Sequence, residues 1–223
     1  PKIVSISPEQ TVLEAHTLMR QHGFRKMVVT IEGYLSGIIT QTDLVTYAAK
    51  TMTRFAATKD GVEHWMTKRP ILIGPNVSFS EARRLMVKRD IGAIIVKGKE
   101  YEGIFTEYDV VAQFYDQGGM LQIKSPKEIM HPHIRSIKLS HSIPLANRIM
   151  LEKNVRRLLV IDGDKVVGII TQTDVADAFV EMAKELSNDS FLEKQKFFEK
   201  PTKEMIDVTF VKGNLKVYHL VKK

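Results

Sequence analysis

Cysteine is absent from this 223-residue chain. That excludes a disulfide framework and every zinc or iron–sulfur site built on thiolates, and a reducing, cytoplasmic compartment is the expectation. No run of about 18 or more apolar residues occurs, so no membrane span is expected, and no signal-peptide pattern opens the chain. Also missing are a phosphate-cradling Gly-rich loop followed by Lys-Ser/Thr, a Gly-x-Ser-x-Gly elbow and a His-Glu-x-x-His helix. Nothing assembles a nucleophile, a base and an oxyanion site, so the chain is expected not to be an enzyme. Blocks of about five or six like charges are absent too. Lys and Arg nevertheless outnumber Asp and Glu by 33 to 26, for a formal net charge of +7. Scattered basic charge of this kind fits either a solvated mixed-sign surface or an anionic partner such as nucleic acid, a phosphorylated metabolite or a membrane surface.

What the chain has in abundance is repetition. Gly-Ile-Ile-Thr-Gln-Thr-Asp-Leu at 37–44 returns as Gly-Ile-Ile-Thr-Gln-Thr-Asp-Val at 168–175, with Gly-Ile-Phe-Thr-Glu-Tyr-Asp-Val between them at 103–110. Thr40, Thr106 and Thr171 are spaced by 66 and 65 residues, and Asp43, Asp109 and Asp174 keep the same step. Helical stretches ending at Met19, Met86 and Met150 carry Ala15, Ala82 and Ala146 four positions earlier, and the segments around Met66 and Met130 also match. The period is too long for a solenoid unit and is about half a small domain.

Each repeat reads as β-α-β-β-α. A short apolar strand (KIVSI, PILIG, IRSIK) leads to a helix of about three turns, with Thr11, Ser78 and Ser142 as N-caps. An apolar run (RKMVVTI, GAIIVKG, RRLLVID) turns at Gly33, Lys99 or Asp162-Gly163-Asp164-Lys165 into the octapeptide strand, forming a hairpin. A second helix follows, with Asp in its first turn. About 60 residues bury too little surface to be comfortable alone, so two repeats are expected to pair. The expected class is α+β, with repeats at 1–58 (start incomplete), 59–122 and 123–186, then a helical linker at 187–202. Residues 203–223 read as the start of a truncated fourth repeat, Met205 answering Met66 and Asn214 answering Asn76. The alternative is a C-terminal strand that matches by chance.

These motifs resemble the cystathionine-β-synthase (CBS) domain family. The resemblance rests on Met-Thr before a strand, a helix with Ala and Met, a basic-apolar strand, and Gly-apolar-apolar-Thr-x-x-Asp opening the last helix, and it covers nearly all of 1–182. It implies paired units joined through their sheets into a Bateman module, with adenosine-containing ligands (AMP, ADP, ATP or S-adenosylmethionine) in the clefts and a regulatory role. No cofactor is required, and a homodimer is the expected assembly.

The octapeptide also has a chemistry of its own. Thr and Asp at one strand-to-helix corner place a hydroxyl and a carboxylate together. A carboxylate can take both hydroxyls of a ribose, and Thr with helix-start amides can serve a phosphate or sugar oxygen. The candidates are Thr40, Thr42 and Asp43; Thr106 and Asp109; and Thr171, Thr173 and Asp174. The competing reading is helix capping, worth about 1 kcal/mol without any ligand. Gly37, Gly103 and Gly168 allow a close backbone approach or a turn. By the resemblance, phosphate contacts fall just before the central strand, at Arg25 and Lys26 and at Arg156 and Arg157, while the second repeat departs with Gly92 and Ala93. Asp174 and Arg157 are the first choice. The resemblance puts the adenine slot at Val4 and Ala15, Ile71 and Ala82, and Ile137 and Ala146, positions that also suit plain core. His131, His133 and His141 lack a clear third ligand and read as surface residues rather than a metal centre. Besides a regulatory sensor, a nucleic-acid-binding scaffold and a purely oligomerising adaptor remain the alternative functions.

Overall fold

The computed structural model describes residues 3–51, 60–99, 101–119 and 123–186. The proposed linker at 187–202 and the proposed fourth repeat at 203–223 lie outside the described residues. The chain divides into two compact units, Pro1–Tyr47 with Phe179–Lys223, and Ala48–Ala178.

The first unit holds the first repeat. β1 (Ser5–Ile6), α1 (Val12–His22), β2 (Lys26–Ile31), β3 (Tyr34–Thr40) and the start of α2 (Gln41–Thr51) follow in the expected order. β1 pairs parallel to β2, and β2 antiparallel to β3. The hairpin turns through Glu32 (φ 51°) and Gly33 (φ 85°), two successive left-handed residues that match the twist of the flanking strands. Thr11 caps α1 in a reciprocal box. Its backbone N–H donates to Glu14 Oε2 at 2.6 Å, and its hydroxyl accepts from the Glu14 N–H at 3.2 Å. Val12, Ala15 and Met19 recur at helical spacing and are buried, as are Met27 and Val29 on one face of β2.

The second unit pairs the second and third repeats. Its elements are α3 (Val62–Trp65), β4 (Thr67–Lys68), β5 (Leu72–Ile73), α4 (Phe79–Arg89), β6 (Ala93–Lys97), β7 (Tyr101–Thr106) and α5 (Glu107–Asp116). A 3-10 turn (Pro126–Glu128) then leads to β8 (His131–Pro132), β9 (Ser136–Lys138), α6 (Ile143–Glu152), β10 (Arg157–Asp162), β11 (Lys165–Thr171) and the start of α7 (Gln172–Leu186). The predicted N-cap positions, Ser78 and Ser142, begin α4 and α6.

The sheets are β5-β6-β7-β8 and β4-β11-β10-β9, so each repeat lends a two-residue strand to the other's sheet. β4, from the start of the second repeat, pairs with β11 of the third; β8, from the start of the third, pairs with β7 of the second. The lead-in backbone is exchanged as well. The Val62 N–H donates to His141 O at 2.9 Å and the Ile143 N–H to Asp60 O at 3.0 Å. Reciprocally, the Phe79 N–H donates to Lys124 O at 2.9 Å and the Ser125 hydroxyl to Pro75 O at 3.0 Å. The start of each repeat thus satisfies the backbone beside the first helix of the other. A single repeat leaves these groups open, which is the local reason for pairing.

This exchange explains two glycines of the octapeptide. A Cβ on Gly103 would lie 2.6 Å from His131 O and 2.8 Å from Met130 Sδ; one on Gly168 would lie 2.2 Å from Met66 Sδ. In each case the methionine preceding the exchanged strand packs onto a strand position that has no room for a side chain. The core beneath is apolar and continuous in the second repeat, where Ile73, Phe79, Ala82, Met86, Ile94, Val96 and Phe105 cluster. Phe79 and Phe105 meet edge to face at 5.7 Å. Three consecutive residues of β6 (Ile94, Ile95, Val96) and of β10 (Leu158, Leu159, Val160) are buried, so these strands are covered on both faces. Among the described residues, no helix is long and apolar enough to cross a membrane.

Candidate functional site

The three corners where β3, β7 and β11 turn into α2, α5 and α7 share one geometry. Asp43 Oδ2 accepts the Thr40 N–H at 2.8 Å and the Thr40 hydroxyl at 2.7 Å. Asp109 Oδ2 takes the same two donors from Thr106, both at 2.7 Å. Asp174 Oδ2 takes them from Thr171 at 2.7 and 2.8 Å. The Asp43 and Asp174 N–H groups donate back to the threonine hydroxyls at 3.3 and 3.4 Å. Each corner is therefore a reciprocal cap in which aspartate fills the place of the usual Glu or Gln. The cap divides the carboxylate. Two donors occupy the lone pairs of Oδ2 at each corner. The hydroxyls of Thr40, Thr106 and Thr171 already donate within the cap.

The basic pairs stand beside two of these corners. Lys26 pairs in register with Thr40 and Arg157 with Thr171. The first residue of each closing helix is tied to the residue before that cation, Gln41 N–H to Arg25 O at 3.1 Å and Gln172 N–H to Arg156 O at 3.0 Å. The backbones of the basic residue, the corner threonine and the helix start are thereby tied together. Arg25, Lys26 and Arg156 are exposed and Arg157 is half-buried. Thr42 is exposed, and Thr173 is half-buried on α7 one residue before Asp174.

The second repeat's corner differs in three respects. Ala93, not a cation, pairs with Thr106. The Glu107 carboxylate lies 3.2 Å from where a Cβ of Gly92 would be, so an acidic group stands near the place the other repeats give to a basic one. Finally, His131 Nε2 lies 2.8 Å from Asp109 Oδ1, with His131 68% exposed and Asp109 5% exposed. This corner therefore has a protein partner on the very oxygen the cap leaves over. The equivalent position in the third repeat's corner is Thr67, since Thr67 pairs with Ile169 as His131 pairs with Ile104.

The residues expected to line an adenine slot sit deeper. Ala15, Ala82 and Ala146 are fully buried and Ile137 nearly so, while Val4 and Ile71 are partly covered. Ile71 and Ala82 pack into the core of the second repeat. His131, read from sequence as a surface residue, is exposed yet engaged with Asp109. No sequence signal links the two, because the strand exchange that joins them is not a local pattern. Among the described residues, no group of three or more His, Asp or Glu side chains is placed to hold a metal ion. A cleft of about 660 Å³, lined by Lys97, Lys99, His133, Arg135 and Asp164 among others, opens at the hairpin end of β10. Arg157 and Thr171 mark the opposite end of that strand, so this cleft is separate from the corner.

Three tandem units, each a β-α-β-β-α element with a capped Thr-x-x-Asp corner and two of them exchanging edge strands, define a repeat protein of the paired α+β kind. The CBS domain family profile matches residues 1–50, 62–116 and 127–181, and the chain belongs to that family. It is 34% identical over 110 residues to an inosine-5'-monophosphate dehydrogenase of Korarchaeum cryptofilum, across 48% of this chain and 21% of that enzyme. It is 29% identical over 118 residues to the CBS domain-containing protein YhcV of Bacillus subtilis, across 52% of this chain and 82% of that protein. An uncharacterised conserved protein from Pyrococcus horikoshii shares the fold with a TM-score of 0.63, at 19% identity over 79% of each chain.

Proposed function

We propose that the chain is a non-catalytic regulatory module that senses an adenosine-containing ligand (AMP, ADP, ATP or S-adenosylmethionine), with the third repeat's corner as the principal site. The observation that carries the reading is the register of Arg157 against Thr171, with Asp174 one helical turn away in the same cap. The Asp174 carboxylate would accept ribose hydroxyls. The Arg157 guanidinium, a planar fork matched to phosphate, would hold the anionic end. Arg156 and Thr173 flank the same corner, and the amides at the start of α7 add their positive dipole end. The first repeat's corner has the same parts, with Lys26 as a point charge in place of the fork, and would bind more weakly. The second repeat's corner would not bind, because it lacks the cation and His131 engages Asp109.

Ligand-dependent thermal stabilisation tests this directly. A ligand at 100 times its dissociation constant adds about 2.7 kcal/mol to unfolding. The expected result is a rise in melting temperature with at least one adenosine compound and none with inorganic phosphate alone. An unchanged melting temperature across AMP, ADP, ATP and S-adenosylmethionine would remove the proposal's support.

A further inference from the structure

The cleft at the hairpin end of β10 lies wholly within the second unit. Its walls are Lys97 and Lys99 at the end of β6, the lead-in to β9 from His133 onward, and β10 with Asp164 in its turn. Backbone pairing gathers the cations. Pro132 pairs with Gly103, which sends the chain after it toward the β6–β7 turn, where Lys97 pairs with Tyr101. His133 turns there at φ 59°. Arg135 then joins the β10 edge, its carbonyl accepting the Leu159 N–H at 2.9 Å. Lys97, Lys99, His133 and Arg135 are all exposed, above a floor of buried Leu159 and half-buried Ile161. Among the described residues, Asp164 is the one carboxylate lining the cleft, so its net charge is positive. The unit's other hairpin is matched differently. Lys68 pairs with Gly168 and the Arg69 N–H donates to Val167 O at 3.1 Å, so that basic lead-in approaches a turn of net negative charge, Asp162-Gly163-Asp164-Lys165. In the cleft a basic lead-in instead meets Lys97-Gly98-Lys99. Like charges gathered in a concave site focus a positive potential that an anion relieves.

We infer that this cleft is a second ligand site, which takes a small molecule bearing a diphosphate. Its cations come from two separate segments, which favours an anion with two charged centres over a single phosphate. Arg135 offers a planar fork, and Lys97 and Lys99 act as point charges. A volume of about 660 Å³ is that of a small-molecule pocket rather than of a track for an extended nucleic-acid strand. The site is independent of the corners, because Ala93 and Arg157, which pair with Thr106 and Thr171, stand at the far ends of β6 and β10.

Calorimetric titration of the full chain with inorganic pyrophosphate at about 0.15 M salt tests the inference. Saturable binding is expected, weakened about tenfold or more by Lys99→Gln with Arg135→Gln. Arg157→Gln, at the corner, should bind as the unsubstituted chain does. So should Arg83→Gln with Arg84→Gln, a charge-matched control at exposed positions of α4. A second readout needs no substitution: pyrophosphate should slow acetylation of Lys99, followed by mass spectrometry. Absence of saturable binding, an equal loss in the charge-matched control, a loss in Arg157→Gln alone, or unprotected Lys99 would overturn the inference. A single-stranded RNA oligonucleotide that displaces pyrophosphate at a lower concentration would overturn it too, by assigning the cleft to nucleic acid.

Discussion

Adding a methyl group at Gly168 places a Cβ 2.2, 3.0 and 3.2 Å from Met66 Sδ, Cγ and Cε, and from nothing else nearer. The three nearest atoms all belong to one flexible side chain, that of the methionine preceding the strand lent by the second repeat. Overpacking of this kind costs about 1–3 kcal/mol, because the thioether must leave its well against β11. At Gly103 the nearest atom is instead a backbone oxygen, His131 O at 2.6 Å, with Met130 Sδ behind it at 2.8 Å. That carbonyl belongs to the β7–β8 ladder and cannot swing away without breaking it, so Gly103→Ala should cost at least as much. The two sites separate in a double-mutant cycle by urea unfolding. Met66→Ala should recover most of the cost of Gly168→Ala, giving a coupling of about 1 kcal/mol or more. Met130→Ala should recover little at Gly103, because the carbonyl stays. If Met66→Ala leaves the Gly168→Ala cost unchanged, or if both cycles couple equally, the account of the strand exchange fails.

Three further outcomes follow from local geometry. His131→Ala removes a donor 2.8 Å from Asp109 Oδ1, a buried acceptor, and should cost about 1–3 kcal/mol by thermal unfolding, while His131→Gln should restore part of it. Hydrogen bonds from the Thr11 backbone and then the Thr11 hydroxyl hold the Glu14 carboxyl below its ordinary range. Its contribution is therefore complete above the ordinary carboxylate range and is lost as pH falls through the lowered folded value. Thr11→Ala should cost about 1 kcal/mol at neutral pH and flatten only part of the acid limb of the stability curve, because the backbone N–H that contributes most to the Glu14 shift is retained. Asp90 ends α4 at φ 51°, where α1 uses Gly23 at φ 66°. Asp90→Gly should raise stability by up to about 1 kcal/mol in the same unfolding assay.

The repeating unit was legible because its signals are local. Alternating apolar runs, Thr11, Ser78 and Ser142 as caps, and the octapeptide all lie within one repeat, and each folds as its own pattern dictates. The lead-in segments around Met66 and Met130 were visible only as matching letters. α3, β4 and β8 are too short for a period, and the partners of β4 and β8 lie about 100 and 30 residues away along the chain. The role of Gly103 and Gly168 depends on that same exchange. At the corners, residue types alone could not apportion the carboxylate. They suggested two acceptor oxygens for a ribose, whereas the cap spends Oδ2 on the preceding threonine. The inequality of the corners was partly readable, since Gly92 and Ala93 visibly break the basic pattern. The engagement of Asp109 by His131 was not, because it needs the fold to bring the third repeat's first strand onto the second repeat's hairpin.

Calorimetric titration of an adenosine nucleotide into matched Asp→Asn variants tests the central claim most directly. Asparagine keeps an oxygen to accept the threonine donors while removing the charge and the second acceptor. Asp174→Asn should abolish the tightest binding event while leaving the melting temperature of the unliganded protein nearly unchanged, and Asp109→Asn should leave the binding isotherm as it was. Undiminished binding in Asp174→Asn, or a loss confined to Asp109→Asn, would contradict the assignment of the third repeat's corner as the principal site.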